Sequence, residues 1–496
     1  VGTSFDIFDD MGAVQIARGS IRIQGTRITP QRWSVTFGGF SLQLSGDIRN
    51  VLPSMRRGQL AALSASVNGS DFEILSIGSL DTLNGQRGLY NCSFKDLLST
   101  LQNSLDSRAG TLNTDSDRAR FSLFYNTGRT TLTTVAFATT DSTLTVSNAS
   151  FFLKSGSKGI ARITGGSEDF YVFWTGSTST TLTGVTAANY NNKTQSGTAP
   201  IGSTVTYCAW LEGQPYEILA SILTSTGTGN NGAFDLYPQE WGIGGAIDKQ
   251  IFDLSDSKRA SKEIVTSNNT VYDLGIAIEA PLQNGLREIV NIFSTVGIFP
   301  VYRHNAVSIR ACTDPEGKET RKTPDIRANI NDLDIIDIIQ HDFFSTDIPN
   351  IYRMTQVHYN YVHSYWSGGL YNQSQVDSLP AIAKIERDFS KYYLASPDNR
   401  QIQALQDLRR LRAWDLFISE RLVVRLPLRF AGIVAGDIVT FISSHVEHLY
   451  DNPSPIFKGR YCMVLGNDYS LDDQSCVITL GILFSLCFKF SINSNS

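Results

Sequence analysis

Residues 33–48 read Trp33-Ser-Val-Thr-Phe-Gly-Gly-Phe-Ser-Leu-Gln-Leu-Ser-Gly-Asp-Ile48. Trp33–Phe37 and Phe40–Leu44 carry the β-prone, period-two pattern of half-buried strands, and Gly38-Gly39 and Gly46-Asp47 stand beside them as turn signals. The same texture continues through Ala65–Val67 and Phe72–Ile77, with Asn68-Gly69 between them. Phe94, Leu97, Leu98, Leu101 and Leu105 then recur at three- and four-residue steps, which predicts a short amphipathic helix. Strands followed by one packed helix read as a small barrel or sandwich.

Outward from there the texture changes three times. From about Arg129 the chain is Thr/Ser-rich and nearly uncharged, with short strands expected at Gly159–Ile163, Asp169–Trp174 and Thr181–Val185, a separate small β-module. A polar loop follows over 187–200. Pro215–Leu223 reads as a helix with Pro near its start, then comes a glycine-rich loop over 225–246. Pro281–Val296 is a second helix candidate, with Leu286, Ile289, Val290 and Phe293 on one face, followed by strands Phe299–Tyr302 and Ala306–Ile309. Cys312–Arg327 is charged and expected to be exposed. The final third contains strand Tyr352–Tyr361 and a helix from Ser396-Pro397 to about Ser419, striped by Ile402, Leu405, Leu408, Leu411 and Phe417. Strands Val423–Leu428, Asp437–Ile442, Tyr461–Leu465 and Cys476–Phe484 complete it. Ser45-Gly-Asp-Ile48 is loosely echoed by Ala435-Gly-Asp-Ile438, a hint of duplication.

The 496 residues are 41% hydrophobic and 18% charged, so cores can be filled while much of the surface must come from uncharged polar side chains. With 42 Lys and Arg against 47 Asp and Glu, the net charge is −5, and no basic block marks a dedicated nucleic-acid binder. The longest apolar run, Val477–Phe488, falls short of the roughly 20 residues of a spanning helix and reads as a buried strand. No secretory leader is expected from the opening residues. The six cysteines (Cys92, Cys208, Cys312, Cys462, Cys476, Cys487) show no CxxC spacing, and buried free thiols in a reducing cytosol are expected.

Candidate chemistry is sparse. His445-Val-Glu-His448 supplies two imidazoles and a carboxylate, but its loop-like setting lacks the one-turn spacing of a metal-binding helix. His358 and His363 lie among Tyr359, Tyr361, Tyr365 and Trp366, a composition that suits a sugar platform or, more simply, a core or interface strand. Glu168-Asp169 and Asp472-Asp473 are adjacent carboxylates, whereas a glycosidase needs two that converge across a cleft. Gly227-Thr-Gly-Asn-Asn-Gly232 matches G-x-G-x-x-G, but a predicted helix precedes it and Pro238 follows, the wrong context for a phosphate-binding turn. Arg409, Arg410 and Arg412 give a helix a positive face, solvated or turned to an acidic partner. No catalytic, cofactor or metal site is assigned, and the chain is expected to be a structural protein.

Four stretches in order resemble the tail hub (baseplate hub or tail-tip) proteins of tailed bacteriophages. They are Trp33–Ile48 with Arg57-Gly58, Ser76-Ile-Gly78 and Cys92–Leu98; Asp141–Ser147 with Ser167–Val172 and Thr181–Val185, similar to a small β-module of virion proteins; Ile222–Gly227 with Tyr237-Pro238 and Trp241–Gly244; and Ala435–Thr440 with Arg460–Leu465 and Val477–Leu480. In the second, Phe170 or Tyr171 stands where the module has its tyrosine.

The resemblance implies a mainly β (α+β) multidomain chain with two tail-tube-like β-barrels, each with a packed helix. The expected domains are barrel 1 at 1–128, an inserted β-module at 129–205, a mixed α/β middle domain at 206–344 and barrel 2 at 345–496. It also implies a non-enzymatic homotrimer at the distal end of the tail, where six similar barrels match the sixfold tube above and present threefold symmetry to the spike or fibre below. Such a hub lines the DNA exit channel without binding DNA specifically, contacts the tail tube or distal tail protein, has no membrane span and no cofactor, and is assembled in the host cytoplasm into the virion tail. The alternatives are a receptor- or glycan-binding tail protein, using Trp174 or Trp366, and a peptidoglycan hydrolase.

Overall fold

The computed structural model describes residues 14–17, 19–29, 34–36, 38–46, 57, 60–65, 73–86, 88–96, 126–152, 157–188, 196–224, 274–280, 287, 290, 293, 298–303, 306–311, 325–343, 354–359, 362–366, 384–388, 392–394, 418–446 and 460–483. These residues are mainly β, gathered in several sheets, and none of the sheets closes on itself.

The largest sheet has twelve strands and is built from both ends of the chain. Its N-terminal wing contains β1 (Val14–Ile16), β2 (Arg22–Gln24), β5 (Gly39–Gly46), β6 (Leu60–Ala65), β7 (Glu73–Gln86) and β8 (Leu89–Asp96), while β3 (Arg27–Thr29) and β4 (Ser34–Thr36) pair as a separate hairpin arm. In β8 buried and exposed residues alternate through Cys92 and Phe94, the period of a strand. Phe94–Asp96 therefore end β8 instead of opening the expected helix, whose remainder, 97–105, lies outside the described residues.

Between the wings lies the Thr/Ser-rich module. Its sheet holds β9 (Gly159–Thr164), β10 (Phe170–Trp174) and the long β11 (Thr204–Gly213), over an aromatic core that includes Phe152, Phe170, Trp174 and Tyr207. The far end of β11 pairs with β12 (Leu274–Ile278), and the expected helix is present as α1 (Pro215–Thr224). Arg287, Val290 and Phe293 are helical within the second helix candidate, and Val290 and Phe293 are buried as its apolar face requires. β13 (Ile298–Arg303) and β14 (Ala306–Ala311) form a hairpin, and every residue of β14 is buried.

The C-terminal wing contains β15 (Ile326–Ile330), β16 (Asp337–Phe343), β17 (Ile418–Pro427), β18 (Ile438–Phe441), β19 (Arg460–Ser470) and β20 (Ser475–Leu483). Ile418 and Ser419 are strand, not the end of the expected helix; residues 396–417 lie outside the described residues.

The two wings repeat one topology. In the N-terminal wing the strands run β2-β5-β8-β7, with β6 on β7; in the C-terminal wing they run β16-β17-β20-β19, with β18 on β19. The repetition extends to register. The β7–β8 ladder slips by one residue between Leu80 and Thr82, and the β19–β20 ladder between Val464 and Gly466. Each bulge residue, Asp81 or Leu465, stands five places before the end of its strand, Gln86 or Ser470. A bulge is a placed feature and rarely coincides by accident.

With the ladders aligned, Phe40, Leu42, Leu44, Leu63, Leu80, Cys92 and Phe94 match Leu422, Val424, Leu426, Phe441, Val464, Ile478 and Leu480. The first seven belong to one buried cluster and the second seven to another. Side-chain chemistry differs, but the inward-facing positions are the same. The alignment puts Gly436 opposite Gly58, so the motif pair suggested by Ser45–Ile48 and Ala435–Ile438 is displaced: Gly46 ends β5, whereas Gly436 precedes β18 as Gly58 precedes β6.

The wings depart from the expected pair of closed barrels at one place. Closing the N-terminal wing on itself would bring β2 against β6; instead the outer edge of β2 pairs with β19 of the other wing. Leu44→Ala and Leu426→Ala, at matched positions, should each cost about 2–5 kcal/mol. Urea titration should show both losses in one shared transition, because the two cores hang on one sheet.

Candidate assembly interface

The joint between the wings is short and dense. Ile23 faces Tyr469 and Gln24 faces Asp468 across an antiparallel ladder. Tyr469 packs against both wing cores. One step further, the Gly25 N–H donates to the Asn467 carbonyl at 2.8 Å. A Cβ on Gly25 would lie 2.4 Å from that oxygen, so only glycine permits the approach. Asn467 is itself buried, its Nδ2 donating to the carbonyls of Phe430 (3.1 Å) and Ile433 (2.7 Å) and so fixing the loop before β18. Around the rim Arg22 donates to Ser470 Oγ at 2.7 Å and lies 3.6 Å from Asp473, and Arg27 pairs with Asp468. Exposed ion pairs contribute about 0–1 kcal/mol each, so the ladder and the Tyr469 contact dominate.

The arm and the β13–β14 hairpin brace this joint. Ile28 and Val35 of the arm pack with Phe299, Val301, Ile438 and Met463. The Tyr302 hydroxyl accepts the Ile77 N–H at 2.9 Å and donates to the Ile77 carbonyl at 3.1 Å, while the Tyr302 N–H donates to Thr26 Oγ1 at 3.0 Å. Burial drives the Tyr302 phenol well above its ordinary value, so it stays a neutral donor.

On the opposite wing Arg310 Nε donates to Asp437 Oδ1 at 2.7 Å, with the two side chains 3% and 2% exposed. Asp437 Oδ2 also accepts the Val434 N–H at 3.0 Å, and Arg310 Nη1 donates to the Ile309 carbonyl at 2.8 Å. Gly436 has φ +84°, and a Cβ there would come within 2.5 Å of Arg310 Cβ. Ala435-Gly-Asp-Ile438 is thus the seat of a buried arginine. A cavity of about 30 Å³ between Ile23, Tyr302, Ala435 and Tyr469 is enclosed at the joint, room for a water at most and far below a ligand pocket.

At the far margin of the C-terminal wing, the turn between β15 and β16 is tied down by Asp332, which accepts the Ser444 N–H (3.0 Å) and hydroxyl (2.7 Å). Hydrogen bonds from Ser443 and then Ser444 hold its carboxyl down at about 2. Beside it Leu333 is 95% exposed, Ile336 57% and Ile339 45%.

The residues singled out by sequence do not converge. Asp169 accepts Arg162 Nη2 at 2.5 Å, and Arg162 also meets Glu279 at 3.3 Å, a structural ion cluster on the β-module. Asp472 and Asp473 are in the β19–β20 turn. His358 and His363 face each other across paired strands, Met354–Tyr359 and Val362–Trp366. Trp174 is 1% exposed within the aromatic core and cannot stack on a glycan, which corrects that expectation. His445 is in the loop after β18, its N–H donating to Ser443 Oγ at 3.1 Å. Glu447, His448, Gly227–Gly232, Arg409, Arg410 and Arg412 lie outside the described residues. No group of three or more potential metal ligands occurs among the described residues.

Cys92, Cys208, Cys462 and Cys476 are free and buried, as expected, while Cys312 and Cys487 lie outside the described residues. Burial pushes the Cys92 thiol up to about 11 and those of Cys208 and Cys476 to about 12. Among the described residues no helix is long and apolar enough to cross a membrane.

No family model matches the chain and no curated protein matches it. Comparison with solved structures finds a tail protein from Neisseria meningitidis MC58, at TM-score 0.39 and 11% identity over 94% of this chain and 95% of that one. It also finds the 43 kDa tail protein of prophage MuSo2 from Shewanella oneidensis, at TM-score 0.37 and 8% identity over 94% and 96%. A third is the E. coli c3393 protein, at TM-score 0.33 and 8% identity over 95% and 77%, described as a type VI secretion component with structural similarity to T4 bacteriophage tail proteins gp27 and gp5. The structural neighbours are thus phage tail proteins or a protein likened to them.

Asp437→Ala should cost about 3–5 kcal/mol by stranding a buried guanidinium, and Arg310→Met with Asp437→Leu should recover much of the loss in chemical denaturation. Asp332 has a depressed carboxyl, so its stabilisation is present above the ordinary 3.8 and is lost as pH falls toward 2. The melting-temperature gap between wild type and Asp332→Asn is expected above pH 4 and should close on acidification.

Proposed function

We propose that this chain is a structural, non-enzymatic hub at the distal end of a phage tail, a homotrimer in which two tube-like units per subunit imitate a sixfold ring. The observation that carries this reading is the duplicated wing: one topology, one bulge position and seven matched core sites occur twice in a chain and share one sheet. Three copies of such a chain supply six near-equivalent units and still have threefold symmetry. That geometry suits an adaptor between a sixfold tube and a threefold spike or fibre. The order of sequence motifs supports the same reading.

In this assembly the tube or distal tail protein meets one face of the ring and the spike or fibre the other. The lumen passes DNA without holding it, in keeping with a chain of net charge −5 that lacks a basic block. The Thr/Ser-rich module lies at the periphery. Assembly takes place in the host cytoplasm, and the mature location is the virion tail.

Light scattering of the purified chain should give three times the 54.6 kDa chain mass. Class averages from negative stain should show a threefold ring of six lobes. Antibody to this chain should label the tail tip of virions; label at the head or along fibres would reject the assignment.

A further inference from the structure

The internal joint uses two edges, and each has an unused counterpart. Aligned by the repeated ladders, β2 corresponds to β16 and β19 to β7. Along β19, Arg460–Met463 Cα positions pair with β18, and Asp468 and Tyr469, further along the same edge, receive β2. Along β7, Glu73–Ser79 pair with β6, and Leu80–Gln86 beyond them meet no strand on that edge among the described residues. β16 likewise ends the sheet, with a neighbour only on its β17 side.

The composition of β16 fits a covered edge. Edge strands that remain in solvent are usually guarded by Lys or Pro, and Asp-Ile-Ile-Gln-His-Asp-Phe has neither. Ile339, its bulge residue, and Ile336 just before it are exposed, as is Leu89 at the start of β8 beside the unused half of β7. Exposed apolar residues gathered at a sheet edge mark an interaction surface.

We infer that copies of this chain join head to tail, β16 of one copy adding to the unused half of β7 in the next, in the register that β2 and β19 use within the chain. Ile23 opposite Tyr469 becomes His341 opposite Gly85, and Gln24 opposite Asp468 becomes Asp342 opposite Asn84. The contact is heterologous: each addition leaves one β16 and one β7 edge open, so the series must close into a ring or run on. This names the contact within the proposed trimer and rests on that reading only for closure at three.

Directly opposed residues of an antiparallel pair have Cα atoms about 4.5–5.5 Å apart, inside disulfide range. Differently tagged Asn84→Cys and Asp342→Cys full-length chains, co-expressed and mildly oxidised, should give a reducible species of twice the chain mass. Neither variant alone nor wild type should give it, since the described native cysteines are buried. The double variant should give a ladder ending at the closed oligomer.

Self-linking of Asp342→Cys alone would mean two-fold pairing of β16 edges and would overturn the head-to-tail contact. Linking of Asp342→Cys to Ala61→Cys on β6 would mean that sheet ends abut, and would overturn it too. A particle of trimeric mass with no Asn84–Asp342 link defeats this contact and leaves the trimer standing. A chain that stays monomeric and unlinked defeats both.

Discussion

The architecture depends on an edge-to-edge ladder two residue pairs long. An edge strand left with unpaired N–H and C=O groups must be covered, and β2 is covered by a strand from the far end of the same chain. Once that pairing exists, two wing cores are held at a fixed angle and Tyr469 belongs to both. Gly25 sets how close the strands can come, and Asn467 fixes the loop that β19 passes. The hairpin bearing Tyr302 and Arg310 then binds one residue to each wing, so that rotation of either wing would strand a buried polar group. The cost of such stranding, a few kcal/mol per group, makes the joint rigid where a purely apolar contact could slide.

Repetition without sequence likeness has a simple physical basis. A half-buried strand constrains every second residue to be apolar and of tolerable size, and little else. Phe40 and Leu422, or Cys92 and Ile478, satisfy that constraint equally. Bulges are more demanding because they re-aim all residues beyond them, which is why the matched slips near Asp81 and Leu465 carry more weight than any shared tetrapeptide. The wings differ where each meets something unique: the N-terminal one sends out the Ile28–Val35 arm, and the C-terminal one opens the loop at Gly436 to admit Arg310.

Local alternation made much of this legible before any coordinates. Phe40–Leu44, Gly159–Ile163, Asp169–Trp174 and Pro215–Leu223 form the elements their periodicities predict. Phe94 misled because leucines from Leu97 onward complete a helical stripe, while Cys92 and Phe94 were already committed to a strand face. The joint itself was invisible, since β2 is three residues long and nothing in Arg22-Ile-Gln24 names its partner. Arg310 did leave a trace: a lone cation in Ala306-Val-Ser-Ile-Arg-Ala311, an otherwise apolar or small run, needs a buried acid, and Asp437 lies in a motif already noted. The apolar margin at Leu333, Ile336 and Ile339 reads in sequence as ordinary strand core, and only topology shows it to be an outer edge.

The rim contact between Arg22 and Ser470 spans 448 positions of chain. A ribosome delivers residues in order, so the first wing emerges with its β2 margin bare and must keep it so while the whole intervening polypeptide is made. Such distant closure is slow and leaves a sticky border available to neighbouring nascent copies. A virus that makes many copies at once therefore faces a timing problem in this protein: self-completion within each molecule has to outrun swapping between molecules.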